Sequence, residues 1–159
     1  MKTIELTIYT IDELSDTAKN KAIENHRQNM FFDWMDESRE SVITFCDFFG
    51  VKLLNYRVGP YEPIDFNTDA SNGNFRGLKL KNINPEYMPT GYCLDNDLWM
   101  TFYEEFKRTG NAKEAFNDAL YAGFKAWRAD LEDQLSDDYI ADFFDANGFQ
   151  FTAEGNFWG

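Results

Sequence analysis

From Asn111 to Leu135 an apolar residue recurs every three or four positions: Phe116, Leu120, Phe124, Trp127, Leu131 and Leu135. This is the period of one helix face, and it persists for about six turns. Asn111 with Glu114 three residues on resembles a capping box and marks where the helix starts. Asp118, Asp130 and Asp133 fall on the opposite side. A helix of this length cannot bury its stripe alone, so the rest of the chain must supply the covering elements.

Those elements can be read in order. Ile4, Leu6 and Ile8 alternate with Thr3, Glu5 and Thr7, the pattern of a strand with one buried face. Ser15 is a good N-cap with Asp16 in the first turn, and Ala18, Ala22, Ile23 and Met30 form a helical stripe. Beyond Met30, through a kink or without a break, Met35, Ser38, Val42, Phe45, Cys46 and Phe49 form a second stripe, stopped by Gly50. Val51 to Val58 reads as a strand, and Ile64–Thr68 with Phe75–Leu80 as a hairpin around Asn72-Gly73. Residues 81–93, with Pro85, Pro89 and Gly91, read as a loop. Trp99, Phe102, Tyr103 and Phe106 define a helix ending near Gly110. Ser136 caps a short helix carrying Ile140, Phe143 and Phe144, and residues 149–158 suggest a terminal hairpin or an added edge strand.

Clustered strands between blocks of helix predict an α+β class, a short antiparallel sheet packed against several amphipathic helices. No repeat and no long linker interrupts residues 1–159, which predicts a single domain. Sixteen Phe, eight Tyr and four Trp set the chain apart from disordered sequences, which pair high charge with few aromatics.

The formal net charge is −13, and it is uneven. Residues 51–94 are nearly neutral, with four acids against five bases, whereas residues 95–159 carry fourteen acids against five. A phosphate surface would be repelled by most of such a protein, so neither direct nucleic-acid binding nor an anionic membrane is expected. No apolar run approaches spanning length, and Met1-Lys2-Thr3 leads straight into the alternating segment, so a cytoplasmic location is expected. Cys46 and Cys93 have neither metal nor redox spacing, and Cys46 falls on an apolar helix face.

Chemical motifs are few. Asp65, Asn67, Asp69 and Ser71 imitate the first half of a calcium loop, but Ala70 stands where a glycine is needed and Arg76 where the bidentate glutamate belongs. Asp95-Asn96-Asp97 precede Leu98-Trp99 and read as cap and first-turn acids. His26 is the only histidine and sits between Asn25 and Arg27, outside any triad or zinc pattern. Neither metal nor cofactor is expected, and no enzyme activity; a carboxylate-only enzyme would leave no signature among 28 acids.

One stretch asks for a reason. DLEDQLSDDYIADFFD, from Asp130 to Asp145, holds Asp130, Glu132, Asp133, Asp137, Asp138, Asp142 and Asp145 without a Lys or Arg. Asp138, Asp142 and Asp145 share a helix face, where like charges cost a few tenths of a kcal/mol per pair. Asp137 and Asp138 are partly explained as first-turn acids after Ser136, which leaves Asp130, Asp133, Asp142 and Asp145 wanting a reason. A solvated face and a surface for a basic partner both fit this pattern.

Tyr9-Thr-Ile-Asp-Glu-Leu-Ser15-Asp-Thr-Ala-Lys-Asn-Lys-Ala22 resembles the opening of a group of small phage and prophage accessory proteins, in which a strand runs into a Glu-Leu-Ser-x-x-Ala-Lys-x-Lys-Ala helix. Ala146-Asn-Gly-Phe-Gln-Phe-Thr-Ala-Glu-Gly-Asn156 is similar to their ending. Some members carry a loose antitoxin label, and the group has no established catalytic residue to carry over. With the acidic stretch, the resemblance implies a phage or mobile-element protein that binds and inhibits a basic, nucleic-acid-handling host defence protein. The target would be of the kind met by anti-CRISPR or anti-restriction proteins, with partial DNA mimicry as the expected means. The alternative is an antitoxin-like protein that neutralises a small toxin through the sheet or the Pro85–Cys93 loop.

Overall fold

The computed structural model describes the backbone of residues 1–159 and every side chain except that of Asn72. It is an α+β protein with five α-helices and a two-stranded antiparallel sheet. Two compact units divide the chain. An end unit combines Met1–Phe32 with Glu132–Gly159, and a middle unit comprises Asp33–Leu131.

In the end unit, α1 (Asp16–Asn29) starts at Ser15, whose Oγ accepts the Ala18 N–H at 3.2 Å. α5 (Asp137–Ala146) starts in the same way at Ser136, which accepts from Tyr139 N–H at 3.2 Å. Each cap satisfies a backbone donor that the first turn leaves without a partner. Ala18, Ala22 and Ile23 of α1 are buried with Ile140 and Phe144 of α5, together with Ile11, Leu14 and Phe151. Phe151 joins the two chain ends. Its N–H and C=O exchange bonds of 2.8 Å with Tyr9, and on its other side it bridges to Phe157.

The turn after Phe151 lies hard against α1. A Cβ on Gly155 would sit 2.2 Å from the carbonyl oxygen of Ala18, and the residue holds φ +88°. Only glycine meets both conditions without strain.

Residues 3–8 do not form the expected strand with a buried face. They make no ladder, and Ile4, Leu6 and Ile8 are exposed. Tyr9 alone is paired.

The middle unit is built on aromatic packing. α2 (Met35–Phe48) and α3 (Leu94–Thr109) pack together, and Phe45 of the first, with Phe49 just past its end, meets Trp99 and Phe102 of the second at ring distances of 4.8–6.2 Å. α4 (Ala112–Gln134) adds Phe116, stacked on Phe45 at 5.4 Å, and Asn111 Oδ1 caps it by accepting from Glu114 N–H. Its last turn, from Glu132, is counted in the end unit. The helical run left open around Met30 is broken over residues 30–34, where Trp34 takes φ +68°.

β1 (Leu53–Arg57) pairs antiparallel with β2 (Asp65–Thr68), Tyr56 opposite Phe66. Both rings face Phe124 of α4, at 5.6 and 5.1 Å, so the sheet is fixed to the long apolar stripe. The expected hairpin of Ile64–Thr68 with Phe75–Leu80 is therefore wrong in its partner. Residues 75–80 are not a strand, because Phe75 stacks on Phe49 at 5.5 Å and Asn74 N–H donates to Phe49 C=O. Burying the Phe75 ring beside α2 takes the segment away from β2.

The Gly155 contact predicts an asymmetry between two glycines. Gly155→Ala should lose about 2 kcal/mol or more in denaturant unfolding, through a backbone clash added to a left-handed φ. Gly148→Ala, also left-handed at φ +66° but with open space around it, should lose only about 1 kcal/mol. Equal losses would mean that the turn does not rest on α1.

Candidate functional site

α5 sorts its side chains by period. Ile140 and Phe144 point into the end-unit core, so Asp138, Asp142 and Asp145, at i, i+4 and i+7, lie on the opposite face. All three are exposed, as is Asp133 at the end of α4. Among the described residues, the carboxylates of these four make no ion pair or hydrogen bond.

The other acids of the stretch behave differently. Arg27 of α1 pairs with Asp137 and with Glu24, and its Nε–H donates to the Leu135 carbonyl at 2.9 Å. Asp137 is thus neutralised across the unit by a cation 110 positions away, which no local spacing could reveal. Asp130 and Glu132 are half-buried and each has an interaction partner. Asp130 also helps to hold the Tyr92 hydroxyl, pushed up to about 12 mainly by burial. The seven-residue acidic line therefore reduces to four open carboxylates: Asp133, Asp138, Asp142 and Asp145. Leu135 and Ser136 separate the first from the other three.

A cleft of about 390 Å³ opens within the end unit, beside the contact of α1 with α5. Asn25, His26 and Asn29 line it from α1, with Phe144, Phe149, Phe151, Gly155, Asn156 and Phe157 opposite. His26 stacks on Phe143 at 5.1 Å and meets the edge of Phe144 at 5.0 Å. Burial lowers its pKa, so its ring is neutral at pH 7. The cleft was not foreseen, because the turn that closes it is set by Gly155, a contact between residues far apart in sequence.

In the middle unit, Asp95 is fully buried at the start of α3, and its Oδ2 accepts from Thr90 N–H, Thr90 Oγ1–H and Gly91 N–H at 2.8–3.1 Å. Because the Thr90 hydroxyl proton goes to Asp95, Ser41 must donate to Thr90 across their 3.1 Å contact. The first-turn acid thus ties down the Pro85–Cys93 loop, whose Tyr87 and Met88 remain exposed.

Groups able to do chemistry are dispersed. The Cys46 thiol is buried and pushed up to about 12, chiefly by desolvation, which denies it a thiolate at neutral pH. Glu105 and Asp118 form a split pair: the Arg108 hydrogen bond lowers the first, while burial and the neighbouring Glu105 and Glu114 raise the second. Neither lines the cleft beside His26. Among the described residues, no group of three His, Cys, Asp or Glu side chains is placed to hold a metal ion, and no helix is long and apolar enough to cross a membrane. Asp65 and Asn67 lie on β2, and the Asp69 carboxylate accepts from Lys52 N–H, so that acidic run serves the hairpin.

Comparison with protein-family models, curated proteins and solved structures gives no match for this chain.

His26 supplies a pH test of the end unit. Its native pKa lies below the unfolded value, so its contribution is complete above about pH 6.5 and is lost as the pH falls through the lowered native pKa. The denaturation midpoint should therefore fall from about pH 7 to about pH 5.5, and His26→Gln should remove most of that slope. A slope unchanged in the variant would assign the effect to the carboxylates.

Proposed function

We propose that this chain is a non-enzymatic, protein-binding accessory protein of phage or mobile-element type. It engages a basic, nucleic-acid-handling host defence protein through the outer face of α5. The observation that carries this reading is the exposed row Asp138, Asp142 and Asp145. Residues 132–159 contain seven acids and no Lys or Arg. The cation that does reach α5, Arg27, is committed to Asp137 at the helix start. Three like charges along about 10 Å of helix are retained where a neutral face would be more stable. A basic groove would regain that cost on contact, and the field would speed the encounter.

The geometry supports local charge matching in place of a continuous phosphate mimic. The three α5 carboxylates are spaced about 6 and 4.5 Å along the helix axis, wider than the roughly 3.4 Å per charge of a nucleic-acid strand. The anti-defence role rests on the accessory-protein resemblance together with this face.

A second reading has its own observation. The Pro85–Cys93 loop is anchored through Asp95 and exposes Met88 and the outer part of Tyr87, whose ring packs edge-on against Trp99, as an antitoxin-like protein could present them to a small toxin.

Affinity capture from a host lysate at low and physiological salt separates the two. The first reading predicts a nucleic-acid-handling protein whose retention falls steeply with salt, and no retention by Asp138→Asn/Asp142→Asn/Asp145→Asn. If the triple variant binds as well as wild type at physiological salt, the acidic-face mechanism is wrong. Salt-insensitive binding abolished by Tyr87→Ala/Met88→Ala would favour the loop.

A further inference from the structure

The end-unit cleft of about 390 Å³ falls in the size range of small-molecule sites, about 300–1,000 Å³. Its two sides differ in kind. On one, Phe144, Phe149, Phe157 and Phe151 form a closed circuit of rings, each centroid 4.9–6.3 Å from the next. Phe144 and Phe151 are buried and make its floor, Phe149 is half-buried, and Phe157 stands 61 % exposed at its mouth. On the other side, Asn25, His26 and Asn29 come from the end of α1.

The electrostatics of the cleft come from around it. Among the described residues no Asp, Glu, Lys or Arg lines it, and His26 is neutral at pH 7. The end unit nevertheless holds twelve Asp and Glu against four Lys and Arg, and the two terminal charges cancel. Two of the four bases are already paired, Lys19 with Asp12 and Arg27 with Asp137 and Glu24. The last carbonyls of α1, which lack partners within the helix, bring the negative end of its dipole to the Asn29 side. Asn29 commits its Nδ2 to the Asn25 carbonyl at 2.9 Å, which leaves its Oδ1 as an acceptor.

Ring faces, free oxygens and an acidic surround all favour a cation. The lining then selects its kind. A primary ammonium carries three N–H donors, and with no carboxylate to receive them its lost hydration would go uncompensated. A quaternary ammonium has no donor to satisfy. We propose that the cleft binds a small, soluble quaternary ammonium compound of the choline type. Its methyl groups lie against the four phenylalanine rings and its charge lies toward the C-terminal end of α1. A phosphorylated source such as a lipid headgroup is disfavoured, because its phosphate would meet the same acidic field. The site is separate from the outer face of α5 and does not require that face to have a partner.

Proton NMR of the full chain tests this, by titration with choline chloride at constant ionic strength and about pH 7.5, where His26 stays neutral. His26 is the only histidine, so its imidazole gives a single reporter inside the cleft. The expected result is a saturable shift of that resonance with a Kd on the order of 1 mM or tighter. 3,3-Dimethylbutan-1-ol, which has carbon in place of the charged nitrogen, should bind at least about tenfold more weakly. Phosphocholine should also bind more weakly than choline. Phe157→Leu keeps an apolar side chain but removes a ring, and should raise the choline Kd about fivefold. Phe157 is exposed, so this variant should keep the wild-type melting temperature. An unmoved His26 resonance at tens of millimolar choline would overturn the proposal. Equal binding of the neutral alcohol, or a Phe157→Leu variant as tight as wild type, would overturn it by showing a merely apolar groove. Phosphocholine binding as tightly as choline, or a trimethyllysine peptide binding where choline does not, would overturn the assignment to a free ammonium compound.

Discussion

The seating of α5 on α1 is the constraint from which the rest of the end unit follows. Ala18 and Ala22 are small enough for the helices to approach closely, and Ile140 and Phe144 fill the space beside them. Once those two side chains are buried, the helical period leaves Asp138, Asp142 and Asp145 facing outward. The same seating brings Asp137 to Arg27 and aligns the Phe151 segment with Tyr9. The acidic face is in this sense a by-product of packing, and its outward presentation depends on an apolar contact made on the other side of the helix.

The middle unit solves a different problem with different material. Its core is a lattice of rings, with Phe45 touching Phe49, Trp99, Phe102 and Phe116, and Phe124 taking Tyr56 and Phe66 from the sheet. Each aromatic pair adds about 0.5–1.5 kcal/mol beyond area burial, which helps a strongly acidic chain to offset its self-repulsion. Polar groups enter this unit where they fasten a loop, as Asp95 does to Thr90 and Gly91.

Much of this was legible in the sequence because the signals were local. Ser15, Asn111 and Ser136 cap the helices they precede, and the stripe from Phe116 to Leu131 is buried throughout. What escaped was decided over distance. The pairing of β2 back to β1 depended on where the Phe75 ring is buried, and the neutralisation of Asp137 on an arginine in another helix. Residues 3–8 misled for the opposite reason. Their alternation is the pattern of a half-buried strand, but a pattern does not supply the neighbour that would cover it, and only Tyr9 finds one, in Phe151. For the acidic stretch, capping left Asp130, Asp133, Asp142 and Asp145 unexplained, and three dimensions were needed to remove the half-buried, partnered Asp130 and to restore the open Asp138.

The division of the chain has a consequence for its synthesis. α1 leaves the ribosome early, yet the residues that bury Ala18, Ala22 and Ile23 are encoded in the last quarter, beyond the whole middle unit. Closing a flexible loop of about a hundred residues would cost on the order of 4 kcal/mol in chain entropy. A middle unit that condenses first, on its own aromatic contacts, turns that flexible loop into a folded body and lowers the cost. During translation the nascent chain therefore carries α1 as an unsatisfied helix face until Phe144 and Phe151 emerge.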